Sequence, residues 1–177
     1  DMIIHGNFND PDGNFAFDKD VARRIADQGV WVNPTLHVNR VRLWRLEKEA
    51  AERALTDEET ADRALQRRRY GEREANFQGL LAAGVKVVGG SDSGWSFYNF
   101  GGFVHEIEAM ASAGLGIPGA LRSATLQSAE SMGVASDVGS VEVGKAADLL
   151  LVAGNPAVDT GALGRVAAVY LGGAQVV

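Results

Sequence analysis

A short apolar run that ends in two glycines and an aspartate constrains the fold of this chain most. The run is Val85–Val88, and Gly89, Gly90, Ser91 and Asp92 follow it. Valine is typical of buried strands, whereas glycine and serine are typical of the loop that leaves a strand. In α/β folds, sites are built at the carboxyl ends of strands. The sequence therefore predicts that Asp92 is a catalytic carboxylate at the end of a strand.

Composition excludes several kinds of site and partner. The 177 residues suffice for one domain or for parts of two, and 46% are hydrophobic. The net charge of −6 gives no general drive toward nucleic acid. The chain has no cysteine, which excludes disulfides and thiolate metal sites. No apolar run approaches the roughly 20 residues of a membrane span. We expect neither a nucleic-acid nor a membrane partner, and a cytoplasmic location is favoured although no feature fixes it.

The first 32 residues of the chain predict a βαβ unit. Met2–Ile4 resembles a strand that ends at His5, and Asp18 can cap a helix that Gly29 ends. Val30–Val32 follows as the next strand. Strand, helix and strand with short connections predict a parallel sheet. Because the sequence opens directly before a strand, we expect that an upstream part of the protein is missing from it.

Two helices are predicted between residues 37 and 83. Thr56 and Glu59 match a capping box, which predicts that the second helix begins at Asp57. Ten of the 17 Lys and Arg residues fall between residues 40 and 73, and nine Asp and Glu residues lie between residues 47 and 74. This stretch is either a basic patch or a solvated surface of i,i+4 ion pairs, and the spacing favours ion pairs.

The loop after Asp92 is aromatic and rich in glycine. It either lines a substrate pocket or packs over the rim of the fold, and the sequence leaves both open. Helices are predicted at 104–113 and 118–132. The aromatic residues of the loop are Trp95, Phe97, Tyr98 and Phe100.

The chain changes character after Gly133, and no helical period appears there. Residues 140–145 alternate apolar and polar side chains, and a buried strand is predicted at 148–152. Two further strands, 165–171 and 174–177, flank a Gly-Gly hairpin signal. The sequence therefore predicts a small antiparallel β segment that is distinct from the α/β part.

His5 and Asp92 both occupy predicted strand ends and are good ligands for a divalent metal ion. Imidazole nitrogen with carboxylate oxygen suits zinc, iron or manganese. Such an ion lowers the pKa of a bound water, and a neighbouring carboxylate can take its proton. A catalytic zinc usually has at least three protein ligands, so these two residues alone leave a structural role for His5 open.

Seven short motifs occur in one order along almost the whole chain. They lie at Met2–Gly6, Trp31–Leu36, Gly89–Gly94, His105–Gly114, Ala124–Gly133, Gly139–Leu149 and Asn155–Pro156. Their order resembles the I-E-H-G, P-T-L, G-S-D, E-L-x-x-M-V-x-A-G, A-T-x-x-A-A-x-x-L-G, G-S-L-E-x-G-K-x-A-D-L and x-N-P-L segments of metal-dependent amidohydrolases. The group includes imidazolonepropionase-like and Xaa-Pro dipeptidase-like enzymes, and the match is to the C-terminal half. Ile4 stands where an acid is common.

The resemblance implies an α/β fold built as a partial TIM (β/α)8 barrel followed by strands of a small β-sandwich. Residues 1–135 would supply barrel strands six to eight with their helices, and residues 136–177 the returning sandwich strands. His5 would be the metal-binding histidine of strand six. Asp92 would be the strand-eight aspartate, which binds metal and moves a proton from water to the leaving group. The reaction implied is metal-dependent hydrolysis of a C–N bond in an amide, peptide-like or cyclic amide substrate.

The resemblance also implies one or two divalent ions, with zinc favoured, and a pocket for a small or peptide-like substrate. His37, Trp95 and Tyr98 lie where substrate contacts are expected, although a surface role fits His37 equally well. His105, at the start of a predicted helix, is expected to be structural rather than a ligand.

Several family ligands have no counterpart in these 177 residues. The strand-one His-x-His, the strand-four lysine and the strand-five histidine are absent. We expect that a missing N-terminal half of the same protein supplies them and that this segment alone is inactive. The alternatives are a non-catalytic half-barrel that pairs with another chain or with itself as a homo-oligomer, and a barrel-like binding protein that has lost catalysis.

Overall fold

The computed structural model describes residues 1–94 and 98–177, and in these ranges the chain forms two three-stranded sheets and six α-helices. A π turn spans Ala111–Leu115, and a 3₁₀ turn spans Thr160–Gly164. The elements are β1 (Met2–Ile4), α1 (Lys19–Asp27), β2 (Trp31–Asn33), α2 (Leu36–Glu52), α3 (Asp57–Ala82), β3 (Lys86–Val87), α4 (Val104–Met110), α5 (Gly116–Ala124), α6 (Leu126–Ser131), β4 (Leu149–Val152), β5 (Val166–Leu171) and β6 (Ala174–Gln175).

The first sheet is parallel and has the order β1-β2-β3. Val32 lies beside Ile3 on one side and beside Val87 on the other. The helix between the first two strands begins where Asp18 accepts hydrogen bonds from two backbone N–H groups of its first turn. These bonds satisfy donors that have no partner within the helix. The predicted βαβ unit and its parallel sheet are therefore confirmed.

Helices α2 and α3 pack against each other and carry the charged stretch. The predicted capping box is present, since Thr56 Oγ1 accepts from Glu59 N–H and the Glu59 carboxylate accepts from Thr56 N–H. Arg53 pairs with Glu59 at 2.6 Å and with Glu49 at 2.8 Å, and Arg42 pairs with an aspartate of α3. These contacts confirm the solvated, ion-paired interpretation of the stretch. Exposed pairs of this kind add little to stability.

Two apolar clusters hold the helices to the parallel sheet. One joins α1 and α3 to β2, and the other joins α4 and α5 to α2, α3 and β3. The first contains Ala22, Val32, Leu80 and Val85; the second contains Leu36, Phe77, Val87, Ile107, Ala109, Met110, Ala113 and Ala120. Because β3 and α4 belong to the same cluster, the packing fixes the position of both ends of the loop that follows Asp92.

The C-terminal part differs from the prediction in three places. The helix predicted at 118–132 is interrupted at Thr125, whose backbone is not helical. The segment 140–145 forms turns and bends, although its alternation of apolar and polar side chains is typical of a strand. Strand β4 is not buried in this structure, because Leu150 and Leu151 are 51% and 47% exposed. The antiparallel sheet β4-β5-β6 with its Gly-Gly hairpin is confirmed. Over the described ranges, no helix is both long and apolar enough to cross a membrane.

Candidate functional site

The candidate site lies at the carboxyl edge of the parallel sheet. His5 follows β1, Thr35 follows β2 and Asp92 follows β3. Among the residues that the structure describes, these three are the non-glycine residues with positive φ, at 72°, 47° and 50°. L-residues adopt this left-handed region at a cost, and such strain concentrates at functional sites. At all three strand ends the backbone therefore leaves the extended conformation, in a way that is typical of functional sites.

Side chains from both outer strands meet across β2. His5 Nε2 and Asp92 Oδ2 are 3.9 Å apart, which is too long for a hydrogen bond. The two side chains are 46% and 44% exposed. They face a cavity of about 430 Å³ that is also lined by Asn7, Val38 and Asn39. The imidazole and the carboxylate are thus both accessible from one open pocket.

A single hydrogen bond fixes the orientation of the His5 ring. His5 Nδ1 and Thr35 Oγ1 are 2.6 Å apart, which leaves Nε2 directed toward Asp92. The carbonyl oxygen of Thr35 accepts a further bond from the Asn39 side-chain amide at 3.0 Å. A histidine whose Nδ1–H is held by a neighbouring oxygen presents its Nε2 lone pair as a metal ligand.

The donors fit a shared divalent ion. Two ligands that each lie about 2.1 Å from one ion can be at most about 4.2 Å apart, and the measured separation is 3.9 Å. Asn33, at the end of β2 between the two strands, has a buried Oδ1 atom without a hydrogen-bond partner in the described part of the chain. Within that part, no group of three or more His, Asp or Glu side chains could hold an ion by itself. His5 and Asp92 therefore fit as part of a metal site.

Behind the exposed pair lies a buried carboxylate from α4. Glu106 has no solvent exposure and accepts hydrogen bonds from the backbone N–H groups of Leu36 (2.9 Å) and His37 (2.6 Å). Burial raises the pKa of Glu106 to about 7, although the two N–H donors and the Arg40 guanidinium oppose that rise. The carboxylate satisfies donors at the start of α2 that lack partners within the helix.

Two of the three predicted substrate residues, His37 and Tyr98, lie outside the His5–Asp92 cavity. His37 is buried, so it is not a surface histidine, and its ring packs edge-on against Tyr98 with centroids 4.5 Å apart. Arg40 contacts His37 Nδ1 at 3.2 Å, and burial lowers the pKa of His37 to about 4. Both rings line a second cavity of about 450 Å³ rather than the His5–Asp92 cavity. Trp95, the third predicted substrate residue, lies outside the described residues.

Sequence reasoning did not identify two residues that support the site. Thr35 and Glu106 both lie in quoted motifs, but no role was assigned to either. The available signal is that Glu106 falls on the apolar face of a predicted helix. A carboxylate at such a position is rarely buried without partners, so partners had to be expected. Its partners are 69 and 70 residues away in the chain, so local pattern could not name them.

Comparison with known proteins points to one family. The model of the amidohydrolase family matches residues 8–176. A prolidase solved in complex with N-methylphosphonate-L-proline is 30% identical, with a TM-score of 0.69, and a putative prolidase from Bifidobacterium longum is 27% identical, with a TM-score of 0.76. A Xaa-Pro dipeptidase with bound methionine in its active site is 26% identical, with a TM-score of 0.72.

The three alignments each cover 99% of this chain. The chain in turn spans 40%, 42% and 39% of the prolidase, the Bifidobacterium longum protein and the dipeptidase. A search of curated proteins found no significant match.

Proposed function

The chain belongs to the amidohydrolase family, and we propose that His5 and Asp92 form part of the metal site of a hydrolase that cleaves a C–N bond. The observation that carries the proposal is the 3.9 Å approach of these two side chains in one cavity. The left-handed backbone at both residues and the hydrogen bond that orients His5 support it.

We further propose that β1, β2 and β3 are strands six, seven and eight of a (β/α)8 barrel. Residues 1–135 would be the barrel part, and residues 136–177 the strands of a small sandwich. The matched structures are more than twice as long as this chain, which supports a barrel completed by sequence outside these 177 residues. The remaining metal ligands would come from that N-terminal half, so this segment alone would be inactive.

In the proposed site, His5, Thr35 and Asp92 have distinct roles. One or two divalent ions, zinc in our proposal, would be held through His5 Nε2 and an Asp92 oxygen. When bound, such an ion polarises the scissile carbonyl and makes water a better nucleophile. Asp92 accepts a proton from the attacking water and donates it to the leaving nitrogen. His5 keeps a fixed orientation because Thr35 binds its Nδ1 atom.

The proposed substrate is a dipeptide or a similar small amide. Three of the matched proteins carry the name prolidase or Xaa-Pro dipeptidase. The second cavity, where His37 and Tyr98 meet Trp44, Phe100 and His105, is the proposed contact for an apolar substrate side chain. Trp95, three positions before Tyr98 in the sequence, is proposed as a further contact.

A metal-dependence assay tests this proposal. The protein with its full chain is incubated with zinc and with a panel of Xaa-Pro and other dipeptides, and product is followed by amino-acid release. We expect hydrolysis that a chelator abolishes and zinc restores. Zinc-independent hydrolysis, or no turnover of any amide by protein that contains zinc, would contradict the proposal.

A second candidate function is favoured by one observation. β1 and β3 are the edges of the parallel sheet, and Met2, Ile3 and Ile4 on β1 are between 37% and 56% exposed. An apolar strand edge of this kind pairs readily with another chain. The alternative is therefore a non-catalytic half-barrel that acts by pairing with a partner or with a second copy. Gel filtration with metal analysis separates the two, because this alternative predicts a stable, metal-free complex.

A further inference from the structure

Glu106 is a fully buried carboxylate that the proposed reaction does not use. Its Oε1 and Oε2 atoms accept hydrogen bonds from the N–H groups of Leu36 and His37, the first two residues of α2. The donors come from a helix that is distant in sequence and adjacent in space. Glu106 therefore caps α2 from outside that helix.

Thr35 is the residue that would ordinarily provide this cap. A threonine at the N-cap position usually accepts a hydrogen bond from an N–H group of the first helical turn. Thr35 occupies the N-cap position of α2 but makes no such bond. Its hydroxyl is instead hydrogen-bonded to His5 Nδ1 at 2.6 Å. Thr35 has a left-handed backbone, whereas a residue whose side chain caps a helix is usually extended. In this conformation the Thr35 hydroxyl contacts His5, and Glu106 provides the acceptors at the start of α2.

We propose that Glu106 is a positioning residue for His5: by binding the first two N–H groups of α2, it holds Thr35 in the left-handed conformation from which its hydroxyl reaches His5 Nδ1, and so directs Nε2 toward Asp92. The inference rests on the proposed function, because it concerns how His5 is presented to a metal ion. Without Glu106, the first N–H groups of α2 have no acceptor, Thr35 is free to shift toward the extended conformation of an ordinary N-cap, and the His5 ring loses its fixed partner.

The first test reads the His5 tautomer directly in metal-free protein with its full chain. ¹⁵N-detected NMR of the imidazole is recorded for wild type, Glu106→Gln, Thr35→Val and the double variant. We expect a single Nδ1–H tautomer in wild type and a mixture of tautomers in every variant. Glu108→Gln is the matched control, because Glu108 lies on the same helix but pairs with His105 at 3.0 Å. It should keep the wild-type tautomer.

The second test measures zinc affinity. Loss of an outer partner of a metal ligand typically lowers metal affinity about 10- to 100-fold. We expect such a loss for Glu106→Gln and for Thr35→Val. The double variant should be no weaker than Thr35→Val alone, because the two residues act in series. Multiplied losses in the double variant would overturn the inference, as would a Glu106→Gln protein that is less stable but retains the wild-type tautomer and affinity.

The two tests distinguish failure of the proposed function from failure of this inference. If wild type binds no zinc, the proposed function fails, while the tautomer in metal-free protein still decides the role of Glu106. If Glu106→Gln does not fold, Glu106→Asp takes its place. The shorter carboxylate cannot reach both N–H groups, so an unchanged single tautomer in that variant would overturn the inference.

Discussion

Two polar regions lie at the same edge of the parallel sheet and differ in exposure. The His5–Asp92 pair is nearly half exposed and faces an open cavity. The contact of Glu106 with the start of α2 is buried, and both carboxylate oxygens have backbone donors. Exposed groups are available to a ligand and contribute little to stability, whereas buried polar groups are costly unless they are paired. We therefore expect substitutions in the first region to change activity with little change in stability, and those in the second to lower stability and to affect activity only through the orientation of His5.

The largest expected effect is on turnover in the exposed pair. Asp92→Asn should lower kcat by about 10²- to 10⁴-fold, because the amide cannot take the proton from water. Asparagine tolerates the left-handed backbone at this position (φ 50°), so stability should change little. The measurement is kcat with zinc present, together with thermal unfolding. Asp27→Asn, the same change at the last residue of α1, is the control. Unchanged turnover in Asp92→Asn would remove Asp92 from the catalytic site.

The stability that the buried region contributes should depend on pH. The pKa of His37 falls from 6.5 to about 4, so its contribution to stability rises with pH in this interval. The pKa of Glu106 rises from 4.5 to about 7, so its contribution falls as pH increases between these values. The two contributions oppose each other between pH 4.5 and 6.5. Each is on the order of 1.4 kcal/mol per unit of pKa shift.

Glu106→Gln removes the contribution of the Glu106 carboxyl group, which stabilises the fold less as pH increases. Its unfolding free energy should therefore rise between pH 4.5 and 6.5 more steeply than that of wild type. His37→Gln should show the opposite slope. Denaturant unfolding at several pH values checks both variants, and identical pH profiles in wild type and Glu106→Gln would show that the carboxylate does not titrate in this interval.

A smaller effect is expected at Gly90, two residues before Asp92. A Cβ atom at Gly90 would lie 2.1 Å from Asn33 Nδ2, so Gly90→Ala must displace a partly buried side chain between the outer strands. Overpacking of this kind costs about 1–3 kcal/mol, and activity should fall with stability because Asp92 follows two residues later. Gly71→Ala, where a Cβ atom meets nothing within 4 Å, is the control. Wild-type activity in Gly90→Ala would show that the exposed pair does not depend on the packing beneath it.

The smallest effect is expected at Thr56, an ordinary N-cap that serves as a reference for the cap that Glu106 provides. Thr56→Ala removes the side-chain acceptor of the capping box on α3 and should cost about 1 kcal/mol of stability without a change in activity. Thr60→Ala, inside the same helix, should cost nothing. If Thr56→Ala lowered activity as much as Glu106→Gln, helix capping in general, rather than the position of Glu106, would support the site.

Local rules predicted much of the fold. The Asp18 cap, the Thr56 capping box and the Gly-Gly hairpin follow from residues within a few positions of each other, and all three are present. Errors arose where local pattern was ambiguous. The alternation at 140–145 is strand-like but forms turns, and no signal marked the interruption at Thr125. The assignments of His37, Trp95 and Tyr98 to the substrate stay predictions.

The sequence by itself determined where strands end, and so which residues could reach the carboxyl edge of the sheet. It placed His5 and Asp92 there because strand propensity and glycine-rich exits are properties of adjacent residues. Only the tertiary structure decided that their side chains approach to 3.9 Å across β2, and that Glu106 rather than Thr35 caps α2. Such contacts join residues 69 to 87 positions apart, and their partners are selected by packing and burial, which no short stretch of sequence encodes.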